Sequence, residues 1–250
     1  MTDLMIDEAD HWVVKGNALL EAAYKMTLQE KRLLLLAISK IDSRKPIPEP
    51  IRIYAHEFAQ AYNLPGKWAY EAIKEATESL YHCTIKIPEV ANNPEDEYRW
   101  IWRKSTTKYD GFVELYFTPV VAPYLSELTG DFTRYKLMRV ANLTSVHSVR
   151  LFEMFMRYEV EGFGYWIVKL DDFRERLGLG KAYERMSNLR TRVLDPVKNE
   201  LPEKANMVMD YEIIKKGRVP DRLRFTFYSI TDTEVFSSAR SSLGKGAKLE

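Results

Sequence analysis

The chain has 250 residues, 46% hydrophobic and 29% charged, the composition of a globular protein with apolar material for one large core or two small ones. Its net charge of +1 excludes bulk basicity as a route to nucleic acid, so a surface for phosphates must come from local segregation of charge. One cysteine, Cys83, excludes an internal disulfide, and His82 beside it has no second Cys/His pair at ligand spacing.

The most apolar run, residues 33–38, is far shorter than the ~20 residues of a membrane span. Residues 1–10 are acidic and lack the basic and apolar regions of a signal peptide, so a cytoplasmic protein without a membrane partner is expected. Residues 17–24 predict a short helix with Ala18, Leu19, Ala22 and Ala23 inward. Thr27-Leu28-Gln29-Glu30 has the form of a capping box and opens a helix through Leu33, Leu34, Ala37 and Ile41. Pro46, Pro48 and Pro50 mark an extended loop, and Ile51-Arg52-Ile53-Tyr54 alternates as a strand does. A short helix over 56–62, a turn at Asn63-Leu64-Pro65-Gly66 and a longer helix over 67–80 come next, the last striped by Ala69, Ile73, Ala76 and Leu80. Three strand-like pieces, 84–87, 98–104 and 112–117, are punctuated by Asn92-Asn93-Pro94 and Asp110-Gly111. Helix, strand, helix, turn, helix and hairpin is the order of a winged helix-turn-helix domain.

The second half repeats that order. Ser145 is placed to cap a long helix through Val149, Phe152, Phe155 and Met156. Trp166-Ile167-Val168-Lys169 is a strand, and Asp171 is expected to cap a short helix holding Phe173 and Leu177. Gly178-Leu179-Gly180 turns into the stretch 181–194, where Met186, Leu189, Val193, Val197 and Leu201 form one buried helical stripe. Pro196 predicts a kink or an end at Asp195, with Asp195 capping a further turn through Leu201. Strands over 207–215 and 222–228 then enclose Lys216-Gly217-Arg218. Landmarks agree between the halves: His56-Glu57-Phe58 with Asp171-Asp172-Phe173, Lys67-Trp68-Ala69-Tyr70 with Lys181-Ala182-Tyr183, and Arg32-Leu33-Leu34 with Arg150-Leu151-Phe152. An α+β fold of two tandem winged helix-turn-helix domains related by an internal pseudo-repeat is expected. Its domains are placed at 12–130 and 131–235, divided at Gly130-Asp131, with a disordered tail over 236–250 whose Leu249-Glu250 is compatible with a cloning scar.

A winged domain presents its second turn helix to the major groove and its hairpin to phosphates. The helix face offers Arg185, Asn188, Thr191 and Arg192 for base reading, since Arg pairs bidentately with guanine and Asn with adenine. Lys181, Ser187 and Arg190 stand at its flank, and Lys215, Lys216 and Arg218 at the wing tip; all six suit the DNA backbone. The N-terminal counterpart offers Lys67, Trp68, Tyr70 and Lys74 but also Glu71, Glu75 and Glu78, which repel phosphate, so a weaker DNA contact is expected there. Tyr98, Trp100 and Trp102 read most simply as core or pairing residues. No phosphate-binding glycine loop, metal-ligating cluster or nucleophile elbow is present, and Asp171-Asp172 is explained by helix capping. No enzyme activity, metal or cofactor is expected.

Asn17-Ala18-Leu19-Leu20-Glu21-Ala22-Ala23-Tyr24 followed by Leu28-Gln29-Glu30-Lys31-Arg32-Leu33 resembles the start of the iteron-binding plasmid replication initiators, the group that includes the F-plasmid initiator. Phe132-Thr133-Arg134-Tyr135 ahead of Ser148-Val149-Arg150-Leu151-Phe152-Glu153 is similar to the opening of their second domain. Tyr183-Glu184-Arg185-Met186 with Arg190 and Arg192 resembles their recognition helix, and Lys215-Lys216-Gly217-Arg218 the hairpin after it. The resemblance spans most of residues 14–230. It implies a monomer that binds direct repeats in double-stranded origin DNA and helps open the origin. It also implies a homodimer, formed through the N-terminal domain, that binds an inverted repeat and represses the initiator's own gene. Host replicative helicase, its loader and chaperones are the further partners implied. Thr191 stands where the family often carries arginine, and Pro196 is unusual, so the repeat sequence is not transferable from a relative. A winged-helix transcriptional repressor without a replication role stays open as the alternative.

Overall fold

The computed structural model describes residues 11–107 and 111–230; the expected tail and Asp110 of the predicted hairpin turn lie outside them. The first half runs β1 (Trp12–Gly16), α1 (Asn17–Glu21), β2 (Ala23–Tyr24), α2 (Leu28–Ser39), β3 (Ile51–Tyr54), α3 (Ala55–Ala61), a 3-10 turn (Gly66–Trp68), α4 (Ala69–Leu80), β4 (Thr84–Lys86), β5 (Tyr98–Arg99), β6 (Ile101–Thr107) and β7 (Phe112–Phe117). The capping box at α2 is closed in both directions: Glu30 N donates to Thr27 Oγ1 at 3.3 Å, and Thr27 N donates to the Glu30 carboxylate at 2.6 Å. Strands β3, β7 and β6 form the N-terminal wing sheet, with Ile51 opposite Leu115 and Ile53 opposite Val113. All four of those side chains are buried, because alternate positions of a strand face one side.

The helix expected over 17–24 is shorter. It ends at Glu21, Ala22 turns extended, and Ala23–Tyr24 becomes a strand paired with β4. Local propensity favours the longer helix, but tertiary contacts override it. The Tyr24 ring packs edge-on against the buried Trp100 at 5.1 Å. Trp100 is thus a core residue, whereas Trp102 is about half exposed beside Tyr116.

The second half runs β8 (Phe132–Lys136), α5 (Met138–Ala141), α6 (Val146–Tyr158), β9 (Glu159–Val160), β10 (Phe163–Lys169), α7 (Leu170–Arg176), a 3-10 turn (Lys181–Tyr183), α8 (Met186–Leu189), one π turn (Arg190–Leu194), α9 (Asp195–Ala205), β11 (Met207–Lys216) and β12 (Val219–Ser229). Ser145 caps α6, accepting from His147 N at 3.2 Å. The sheet order is β11-β12-β10-β9, and its inner face is aromatic. Phe155 stacks on Phe227 at 4.4 Å, and Phe225 packs against both Trp166 and Phe173, at 5.5 and 5.6 Å. Asp171 is not the cap expected of it. Helix α7 begins two residues earlier than that, with Lys169 at the cap position, and Asp171 sits in the first turn, paired with Arg174 at 3.0 Å. An acid there still faces the positive helix end.

The two winged-helix domains are joined by elements that the periodicity of the sequence does not mark. Strand β1 pairs antiparallel with β8, Trp12 opposite Lys136 and Gly16 opposite Phe132, so the first strand lies on the far side of residue 130. The aligned arginines of the repeat cross over. Arg32 Nη2 donates to the Leu143 carbonyl at 3.1 Å, while Arg150 donates to the carbonyls of Leu20 and Ala22 at 3.3 and 3.0 Å. Both are buried, and a buried guanidinium is tolerable only where its donors find acceptors.

Candidate nucleic-acid interface

Gly178 makes the turn that aims the candidate recognition helix. Its φ is +60, and an added Cβ would stand 2.6 Å from the Tyr24 carbonyl oxygen. Only glycine combines that left-handed backbone with so close an approach. The chain then passes through the 3-10 turn Lys181–Tyr183 and enters α8 with Arg185 extended at the cap position. The N-terminal copy enters α4 through a 3-10 turn of its own, Gly66–Trp68. His147 on α6 supports the C-terminal entry, its ring 5.9 Å from that of Tyr183; burial lowers its pKa.

Leu189, Val193, Leu194, Val197 and Leu201 are all buried beneath the helix. Lys181, Arg185, Ser187, Arg190, Thr191 and Arg192 are exposed and Asn188 is half-buried. These side chains are differently committed. Asn188 Nδ2 donates to the Ala182 carbonyl at 2.9 Å and Thr191 Oγ1 to the Ser187 carbonyl at 3.0 Å. Arg190 Nε reaches Tyr211 Oη at 3.3 Å. Among the described residues, the guanidinium groups of Arg185 and Arg192 have no hydrogen-bond or ion-pair partner, which leaves their donors available to a ligand.

Pro196 does not end the helix at Asp195, and the irregularity expected there takes the form of a π turn over Arg190–Leu194. The helical run continues from α8 through the π turn into α9. Asp195 is not a cap either: its Oδ1 accepts from Tyr211 Oη at 2.5 Å. Tyr211, on β11, is the residue beside the candidate site that spacing in the sequence does not reveal. It ties the helical run 186–205 to the strand that runs on to the wing tip, about 17 Å away at ~3.3 Å per strand residue. There Lys215, Lys216 and Arg218 are exposed around Gly217, whose φ is +65. Four cations on the helix and the turn leading into it (Lys181, Arg185, Arg190, Arg192) and three on the wing thus accompany a net charge near zero, the segregation that phosphate binding requires.

The N-terminal copy is poorer in free cations. Lys67 Nζ lies over the exposed Trp68 ring at 5.1 Å, and Lys74 Nζ is 3.7 Å from Glu71. Tyr70 is half-buried, and Glu71, Glu75 and Glu78 are exposed along the same helix. Among the described residues no group of three His, Cys, Asp or Glu side chains is placed to hold a metal ion, and no helix is long and apolar enough to cross a membrane. The thiol of Cys83 is pushed up to about 12 by burial and by Glu30.

Residues 12–156 match the family model described as initiator replication protein, WH1, and residues 169–227 match that described as initiator Rep protein, WH2. Two relatives from Escherichia coli are similar along most of their length. An uncharacterized 27.6 kDa protein is 22% identical over 219 residues, covering 82% of this chain and 91% of the relative. A protein named PI is 23% identical over 259 residues, covering 88% and 83%. Among solved structures, the Pi initiator protein in complex with iteron DNA superposes with a TM-score of 0.75 at 22% identity, covering 90% of this chain and 99% of that one; the likeness is one of fold.

Proposed function

The chain belongs to the family of initiator replication proteins, and we propose that it is a plasmid replication initiator that binds the repeated duplex sequences of its origin. One observation carries the reading: Arg185 and Arg192 stand exposed and unengaged, among the described residues, on the second turn helix of the C-terminal domain, with the cationic hairpin after it. Guanidinium donors on a groove-sized helix are the commonest means of reading guanine. In the proposal Arg185 and Arg192 read bases, with Asn188 and Thr191 beside them. Lys181, Ser187, Arg190, Lys215, Lys216 and Arg218 hold phosphates. That the homologous solved structure holds iteron DNA supports the choice of ligand.

The units of the proposal are residues 12–130 and 131–235. We assign the first a weaker DNA contact, through Lys67, Trp68, Tyr70 and Lys74, which the acids on α4 support, and the role of dimer module. A monomer would bind direct repeats, help open the origin and recruit the host helicase and its loader. A dimer, shifted toward monomer by chaperones, would bind an inverted repeat and repress its own gene.

The test has two arms. Purified chain is titrated with duplexes carrying the repeats that flank its gene and with shuffled versions, and a plasmid dependent on that flanking DNA is tested for replication with the gene supplied in trans. Preference for the repeats together with replication is expected. Equal binding to repeats and shuffled DNA contradicts the reading, and preference without replication points to a repressor.

A further inference from the structure

Asn188 and Asp195 are seven residues apart, and residues at that spacing in an uninterrupted α-helix lie within about 20° of each other. On such a helix the Asp195 carboxylate would share the face of Asn188, where it would repel phosphate. The chain does otherwise. Arg190–Leu194 forms one π turn, whose i→i+5 bonding takes in an extra residue and turns the rest of the helix back by about 100°. Two results are visible. Val193 and Leu194, neighbours in sequence, are both fully buried. Asp195 faces β11 and accepts from Tyr211 Oη at 2.5 Å, while the same hydroxyl accepts from Arg190 Nε at 3.3 Å.

Pro196 comes directly after it. In a plain helix it leaves the carbonyl of Arg192 without its donor, and its ring collides with that carbonyl. A wider turn just ahead lets the helix pass the proline without breaking. The buried stripe stays continuous beneath it, with Leu189, Val197 and Leu201 all fully buried.

We propose that this π turn, held by Pro196 and by the chain Asp195–Tyr211–Arg190, sets the sequence selectivity of the reading helix, with Tyr211 and Pro196 as positioning residues that touch no base. The inference rests on the DNA reading proposed above. Tyr211 turns the acid away from the groove and keeps Arg190 at the flank. Base reading is thereby left to Arg185 and Arg192, in the phase that the π turn imposes.

The test uses the full chain and a duplex that the wild type selects from a random-sequence pool, with a shuffled version of that duplex as reference. Affinities for both, and thermal melting, are measured for the wild type, Tyr211→Phe and Pro196→Ala. Each variant is expected to lower the preference for selected over shuffled duplex by about tenfold, the scale of one misplaced base contact. The midpoint of Pro196→Ala is expected to hold or rise, because alanine restores a helix donor. Variants that keep the wild-type preference, whatever their stability, overturn the inference and leave the DNA reading standing. A wild type that enriches no sequence overturns the DNA reading and the inference with it.

Discussion

Lys31 Nζ lies 2.7 Å from Glu153 Oε2, and neither side chain has any exposed surface. Lys31 stands on α2 in the first half of the chain and Glu153 on α6 in the second, so the ion pair joins the two halves. Lys15 of β1 pairs with the other oxygen of the same carboxylate, and Tyr135 Oη donates to it at 2.6 Å. Tyr24 Oη accepts from Lys31 at 2.6 Å and from Arg150 at 2.5 Å. Three cations and one carboxylate share this buried site, and burial of charge is tolerable only with such pairing. The cluster ties β1, α2, β8 and α6 to one another.

Removing the shared carboxylate leaves two lysines and an arginine buried without an anion. Glu153→Leu is therefore expected to cost about 3–5 kcal/mol of folding stability, the scale for breaking a buried ion pair. Urea unfolding of the full chain checks this, and a loss below about 1 kcal/mol would show that the cluster does not hold these elements together.

The cluster also predicts a pH dependence with two limbs. Burial raises the Glu153 carboxyl, but Lys15, Lys31 and Arg150 outweigh it and hold the group well below its ordinary 4.5. Its contribution is present above pH 4.5 and is lost as pH falls below that value, because the unfolded chain then takes up the proton first. Lys15 is lowered by burial to about 8 from 10.5, against the pull of Glu153. The folded chain releases that proton first, so stability from this group rises with pH from about 8 toward 10. Lys31, also lowered by burial, adds to the rise. Thermal midpoints across that range should climb less in Lys15→Met than in the wild type; an equal climb assigns the effect elsewhere.

Two glycines separate backbone strain from close packing. Gly178 and Gly217 have φ of +60 and +65, but an added Cβ meets the Tyr24 carbonyl oxygen at 2.6 Å at the first and nothing within 4 Å at the second. Gly217→Ala should cost about 1 kcal/mol, from conformation alone. Gly178→Ala should cost more, because the turn between α7 and the reading helix must also back away from the first domain. Equal losses in parallel melts would mean that this approach carries no energy.

At the wing tip, Lys216→Ala should weaken binding to selected and random duplex alike and lower the slope of log affinity against log salt by about 1. A loss confined to the selected duplex would make Lys216 a base contact.

How much of the molecule is legible in the sequence depends on how local each signal is. The capping box at Thr27, the stripe of Ala69, Ile73, Ala76 and Leu80, and the hairpin around Gly217 are set by residues a few positions apart, and the structure carries all three. Strand β1 is different: its partner β8 lies some 120 residues on, and no spacing in residues 12–16 announces it. Tyr24 reads as the end of a helix until Trp100 and Arg150 claim it. At the reading helix, Pro196 is visible as a disturbance, but its accommodation by a π turn is decided by the packing of Leu194 and by Tyr211 on a strand 15 residues beyond Pro196. Arg185 and Arg192 stand out in the sequence because exposed cations need no partner within the chain. Tyr211 does not, since its role exists only once helix and strand are side by side.

The most direct test of the DNA reading is the affinity of Arg192→Ala for the selected duplex and for random duplex at one salt concentration. A loss of about 1–3 kcal/mol on the selected duplex, with little change on random DNA, is predicted for a base-reading guanidinium. Equal losses on both, or none on either, would contradict the assignment of this helix as the element that reads sequence.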